Sequence, residues 1–196
     1  MSSKYLIDAI RTSALQGLRR AYPEELCRFD SGVKARAPLG HVITVIKVAY
    51  EINEKILLPS AFYTLSCFST SLIRDFDLPP PILAIHRRGK NELAMNLAVS
   101  ISTILRYCSH AQQCKSPQGF LTDHANRILS HNNMEEVNPL EILMDIMRSF
   151  TTYDACDTHQ RELNRALHWQ REMIWESLPD AFGLGSWKTL REAADI

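Results

Sequence analysis

Asn91-Glu-Leu-Ala-Met-Asn-Leu-Ala-Val-Ser-Ile-Ser-Thr-Ile-Leu-Arg-Tyr-Cys108 is the stretch that decides the fold. Leu93, Leu97, Val99, Ile101, Ile104 and Leu105 are spread around a helical wheel and do not line one narrow stripe. A helix that is apolar on several sides needs several neighbours, so these residues predict a central helix with much of its surface buried.

The flanking segments supply those neighbours. Residues 4–20 carry Leu6, Ile7, Ile10, Ala14, Leu15 and Leu18 at helical spacing, ending where Tyr22 precedes Pro23. A short helical turn is expected after Pro23, with Glu24 and Glu25 at its positive end. Pro38 opens a further stripe of Val42, Val45, Ile46, Ala49 and Ile52. Ala61, Phe62, Leu65 and Phe68 repeat after Pro59, and Asp77-Leu-Pro-Pro-Pro81 reads as an extended break. Residues 120–131 form another expected helix. Asn138-Pro-Leu-Glu141 is a helix-start signature, with Asn138 as cap and Glu141 able to reach back. A last long helix is expected over 155–178, carrying Leu163, Leu167, Met173, Ile174 and Leu178. No alternating strand and no hairpin turn is found. The expected class is all-α, an irregular bundle of about seven to nine helices with little or no sheet.

The chain has 196 residues, 45% hydrophobic and 22% charged, which suits a folded domain with its own core. Twenty-two Lys and Arg balance 22 Asp and Glu. A protein that binds nucleic acid by neutralising phosphate carries a basic surplus, so nucleic acid is disfavoured as a partner. No apolar run is long enough to span a membrane, and the first residues lack a signal peptide. Five cysteines in such a chain fit reduced thiols and a cytoplasmic or nuclear location.

One constellation could hold a metal. Cys108 and Cys114 flank a helix end, and Cys156 and His159 open the last helix. Two short-spaced pairs on chain reversals can close a tetrahedral zinc site, whose ligating atoms must then converge within about 4 Å. Four protein ligands leave no open position, so such a zinc is structural. The competing reading makes Cys108 a small core residue and the others ordinary surface groups. His86-Arg87-Arg88-Gly89-Lys90 could touch phosphate or an acidic partner, but solvated helix-start surface is the plainer reading. Trp169, Trp175, Phe182 and Trp187 could line a peptide groove, with core packing preferred. No motif for nucleophilic, nucleotide-dependent or zinc-protease chemistry occurs, so no catalytic residue is assigned.

Four stretches resemble fungal (basidiomycete) BTB/POZ-domain proteins. Lys4 through Tyr22-Pro23 looks like the closing helices of a BTB domain. Leu57-Leu-Pro-Ser-Ala-Phe-Tyr-Thr-Leu-Ser66 looks like the family's L-P-A-A-F-Y-x-L-S. Arg88 to Leu93 is similar to a G-R-x-x-L helix start. Arg171-Glu-Met-Ile-Trp-Glu-Ser-Leu-Pro-Asp-Ala-Phe-Gly-Leu184, with Trp187, resembles R-x-x-I-W-x-x-L-P-x-x-F-G-L-x-x-W. The resemblance places Cys108, Cys114 and Cys156 on family cysteine positions, with His159 where a fourth cysteine would stand. It implies residues 1–28 as a BTB remnant and 29–196 as an all-helical extension, the strands and first helices of the BTB fold being absent. It also implies a non-catalytic adaptor that binds other proteins, a BTB or cullin-type partner among them, with no small-molecule substrate. Two alternatives are a transcription-associated nucleic-acid binder and a metal-dependent enzyme. Without BTB strands to pack on, Leu6, Ile10, Leu15 and Leu18 are expected either to lie exposed or to dock back on the remaining helices.

If the four ligands share a metal, the purified chain should carry one zinc, and chelation should expose three further reactive thiols. Zinc-free protein with equally reactive thiols before and after chelator would return these residues to ordinary packing.

Overall fold

The computed structural model describes residues 2–32, 37–107, 122, 138–151 and 157–194. Among these residues there are ten α-helices, one 3₁₀ turn and no strand. The expected class holds, with slightly more helices than anticipated. In chain order they are α1 (Ser2–Ala21), α2 (Leu26–Ser31), α3 (Leu39–Glu51), the 3₁₀ turn (Lys55–Leu57), α4 (Leu58–Ser66) and α5 (Thr70–Arg74). Then come α6 (Pro80–Tyr107), α7 (Pro139–Thr151), α8 (Asp157–Glu176), α9 (Leu178–Ala181) and α10 (Trp187–Ala194). The helix expected over 120–131 falls, Thr122 apart, outside the described residues.

α6 is longer than the sequence pattern suggests. Asp77–Pro81 is not a free-standing extended segment, because Pro80 and Pro81 occupy the helix's first turn. Their missing N–H groups would have no intrahelical acceptor there in any case. The helix therefore runs through His86–Lys90 and on to Tyr107, and against it pack α4, α7, α8 and α9. Leu93, Leu97, Ile101 and Ile104 are all buried, whereas Val99 is exposed.

The other ends follow from local chemistry. α3 stops where Asn53 adopts a left-handed φ of 58°, a conformation asparagine tolerates better than most side chains. α4 starts with Pro59 in its first turn and is buried almost throughout, with Leu58, Ala61, Phe62, Tyr63 and Leu65 inside. Asn138 caps α7 as expected: its Oδ1 accepts from Glu141 N at 3.4 Å. Glu141 does not reach back but pairs with Arg148 at 3.1 Å. The last long helix ends near the expected boundary, at Glu176, and Pro179 then sits in the first turn of a further short helix, α9. Beyond α9, Gly183 turns the chain at φ 69°, which favours a residue without Cβ.

The aromatic residues lock this C-terminal hairpin to the core. Phe182 stacks on Phe62 with centroids 5.2 Å apart, and Trp175 stacks on Trp187 at 5.7 Å. Trp187 donates its Nε1–H to Trp175 O at 2.9 Å, and Trp175 donates its own to Glu24 O at 2.8 Å. Trp169 departs from the core-packing expectation and is 59% exposed.

Gly89 is where α6 meets the Phe182 ring. A Cβ built there would overlap ring carbons Cδ1 and Cε1. Gly to Ala inside an exposed helix ordinarily stabilises by about 1 kcal/mol. Here the overlap reverses the sign. Gly89→Ala should lower stability by about 1–3 kcal/mol in urea unfolding, as overpacking does. Pairing it with Phe182→Leu should give less than the sum of the two single losses. A stabilised Gly89→Ala would show that the ring does not sit on the helix.

Candidate functional site

The proposed zinc ligands are placed only in part. Cys108, Cys114 and Cys156 lie outside the described residues, and His159 is half-buried on the first turn of α8. Among the described residues no three His, Cys, Asp or Glu side chains come together as a metal site. Neither described cysteine forms a disulfide: Cys27 is exposed on α2, and Cys67, the residue just past α4, is buried and donates to Tyr63 O at 3.4 Å.

The basic cluster 86–90 is not uniformly solvated. It forms about one and a half turns of α6, with an inside and an outside. His86 is 2% exposed and Lys90 7%, while Arg87 and Arg88 face solvent. Spacing accounts for this: residues 82, 86, 89, 90 and 93 share the inner face of the helix. Lys90 Nζ donates to Phe68 O at 3.3 Å and to Thr70 Oγ1 at 3.4 Å, which ties α6 to the start of α5. His86 differs. Neither ring nitrogen has a hydrogen-bond partner among the described residues, and both are closed to bulk water.

Beside His86 lies a cavity of about 650 Å³ between the first turns of α6 and the α5–α6 turn. Ile73, Phe76, Leu78 and Leu83 form its apolar walls, and Arg74, Arg87, Lys90, Asp75 and Asp77 supply its charge. Burial first, then the positive charges of Lys90 and Arg87, hold the His86 imidazole down to about 4.

A second cavity, about 830 Å³, opens where α1, α2, α4, α7 and α8 meet. Its cations are mostly consumed. Arg171, 3% exposed, donates to Leu140 O at 3.2 Å and pairs with Asp30. Arg28 pairs with Glu25, and Arg148 with Glu141 and Asp145. Tyr63 donates its hydroxyl proton to Asn138 Oδ1 and accepts from Leu140 N at 3.1 Å, and burial pushes its phenol well above the usual range. These groups tie α2, α4, α7 and α8 together and leave few donors for a ligand.

Exposed apolar side chains complete the picture. Residues 7–14 of α1 are exposed without interruption, Ile7 at 64% and Ile10 at 60%. The helix joins the body through its C-terminal part: Leu18 packs on the core and Arg19 pairs with Glu54. Of the two expectations for the stripe of Leu6, Ile10, Leu15 and Leu18, exposure is found for Ile10 and docking on the core for Leu18. Elsewhere, Ser100–Gln170 at 2.9 Å and Asn96–Ser177 at 3.4 Å set α6 and α8 side by side and antiparallel. Met95 and Val99 of α6, and Trp169 and Met173 of α8, are exposed. Met173 thus leaves the apolar stripe the sequence assigned to it, because Ile174 and Trp175 take the inner positions.

No described helix is long and apolar enough to cross a membrane. The chain matches no family model, no curated protein and no solved structure.

His86 makes stability depend on pH. Its folded value of about 4 lies below the ordinary 6.5 of an unfolded histidine. The stabilisation is complete above 6.5 and is lost as pH falls toward 4, because the unfolded chain then takes up a proton the folded one refuses. The loss amounts to about 3 kcal/mol. Urea midpoints measured across that window should fall steeply for the wild type and less steeply for His86→Leu. Parallel curves would mean that the imidazole is solvated.

Proposed function

We propose that this chain is a non-catalytic protein-interaction module whose principal contact surface is α1. The observation that carries this reading is the unbroken exposure of residues 7–14, with Ile7 and Ile10 among them. Burying one such side chain against a partner is worth about 1.5–3 kcal/mol, and nothing in the described chain uses that energy. Met95, Val99, Trp169 and Met173 add further exposed apolar side chains on α6 and α8. The resemblance of α1 to the closing helices of a BTB domain supports the same reading and points to a BTB or cullin-type partner. Zero net charge weighs against nucleic acid.

A photo-crosslinking side chain at position 10 should give a discrete protein adduct in cells, whereas the same group at position 180 should give none. Ile7→Asp should abolish that adduct while changing stability by less than about 0.5 kcal/mol, as surface substitutions do. No adduct at position 10, or one indifferent to Ile7→Asp, would refute the assignment.

A further inference from the structure

On the reading of α1 as a contact surface, we infer that its partner is an amphipathic helix whose apolar face is flanked by carboxylates. Register comes first. Ile7, Ile10, Ala14, Gly17 and Ala21 recur at alternating spacings of three and four residues, and all five are exposed. That is the seam by which one α-helix lies along another. Leu18, which packs on the core, stands beside this seam, so docking of α1 on the body leaves the seam open. A Cβ built on Gly17 meets nothing within 4 Å. Small side chains at 14, 17 and 21 let a second helix backbone come close, while Ile7 and Ile10 supply the hydrocarbon. Two isoleucines followed by small residues offer little apolar area to a bilayer, whose hold on a helix scales with that area.

Shape agrees with register. Gly17, Arg20 and Ala21 also line the cavity of about 830 Å³ at the foot of α1, with Pro23 and Met144 among its apolar walls. The seam thus runs from a projecting helix down into a concave surface, the form that receives a helix by its apolar face.

Charge then selects the partner. At about 100° per residue, Arg11 and Arg20 fall on opposite flanks of the seam. Neither makes an ion pair among the described residues, whereas Arg19 is taken by Glu54. Asp8, the one acidic residue of α1, lies farther round the helix, beyond Arg11. Each flank therefore presents an unpaired guanidinium. A second copy of this chain would set basic flank against basic flank, which is repulsive, and carboxylates on a partner helix would pair with both.

Two leucine-heptad peptides, identical except for glutamate or lysine at the flanking positions, supply the probe. Titrated into the full chain and followed by fluorescence anisotropy, the glutamate peptide should bind saturably, more weakly as salt rises, and about fivefold or more tighter than the lysine peptide. Ile7→Asp should abolish binding of both. Arg11→Glu with Arg20→Glu, both at exposed positions, should reverse the preference with helix content retained. The milder pair Arg11→Gln with Arg20→Gln should erase the preference without reversing it. Equal binding of the two peptides, or a preference that survives both double variants, would overturn the inference. So would tighter binding to phosphatidylserine vesicles than to the glutamate peptide, or self-association of the chain in sedimentation. None of these results would remove the crosslinked adduct at position 10, so the contact-surface reading stands or falls separately.

Discussion

The guanidinium of Arg171 is the constraint on which the C-terminal half of the molecule depends. It is 3% exposed, yet it ties α8 to the Leu140 carbonyl of α7 and to Asp30 of α2. A buried charge is tolerated only when its donors are matched, and the fork of Arg171 is matched on two sides by separate elements. One turn later, Trp175 adds an indole hydrogen bond to Glu24 O and packs on Phe29 with centroids 5.0 Å apart. Residues 24–30 are thereby held to α8 by a charge, a hydrogen bond and an aromatic face. Arg191 of α10 pairs with Glu24, so the last helix fastens to the same segment.

The two cavities differ in how their charged groups are placed. Around Arg171 each buried donor meets an acceptor on a neighbouring helix, and the result is a rigid joint. Around His86, burial and the nearby Lys90 and Arg87 charges hold the imidazole in its neutral form, and neither ring nitrogen has a hydrogen-bond partner among the described residues. The exposed apolar side chains of α1, α6 and α8 are a third kind of surface, where uncovered hydrocarbon is what remains to be satisfied.

Much of this was readable before any coordinates. The helical class, the inner residues Leu93, Leu97, Ile101 and Ile104, the Asn138 cap and the buried Trp175, Phe182 and Trp187 all follow from spacing and start signals. Such features depend on contacts within a few turns, where periodicity is informative. The start of α6 was not readable, because Asp77–Pro81 contains as strong a breaker as a sequence can show. Proline breaks a helix only past its first turn, and where that turn begins was set by the packing of α6 on α4 and α9. Once α6 began eleven residues earlier than Asn91, His86 and Lys90 fell on its inner face, and a cluster read as surface became half core. Val99 and Met173, counted with the apolar residues, face outward because Ser100 and Ile101 in α6, and Ile174 and Trp175 in α8, take the inner positions.

The amino-acid order by itself determined that this chain is helical, where most helices lie and which large side chains enter the core, because those properties arise from local propensity and the 3.6-residue period. Tertiary structure alone decided that residues 7–14 of α1 stay exposed among the described residues, that Arg171 finds Asp30 across 141 positions, and that His86 turns inward beside a cavity. Each of those depends on which surfaces meet between distant segments, and no periodicity in the sequence encodes that choice.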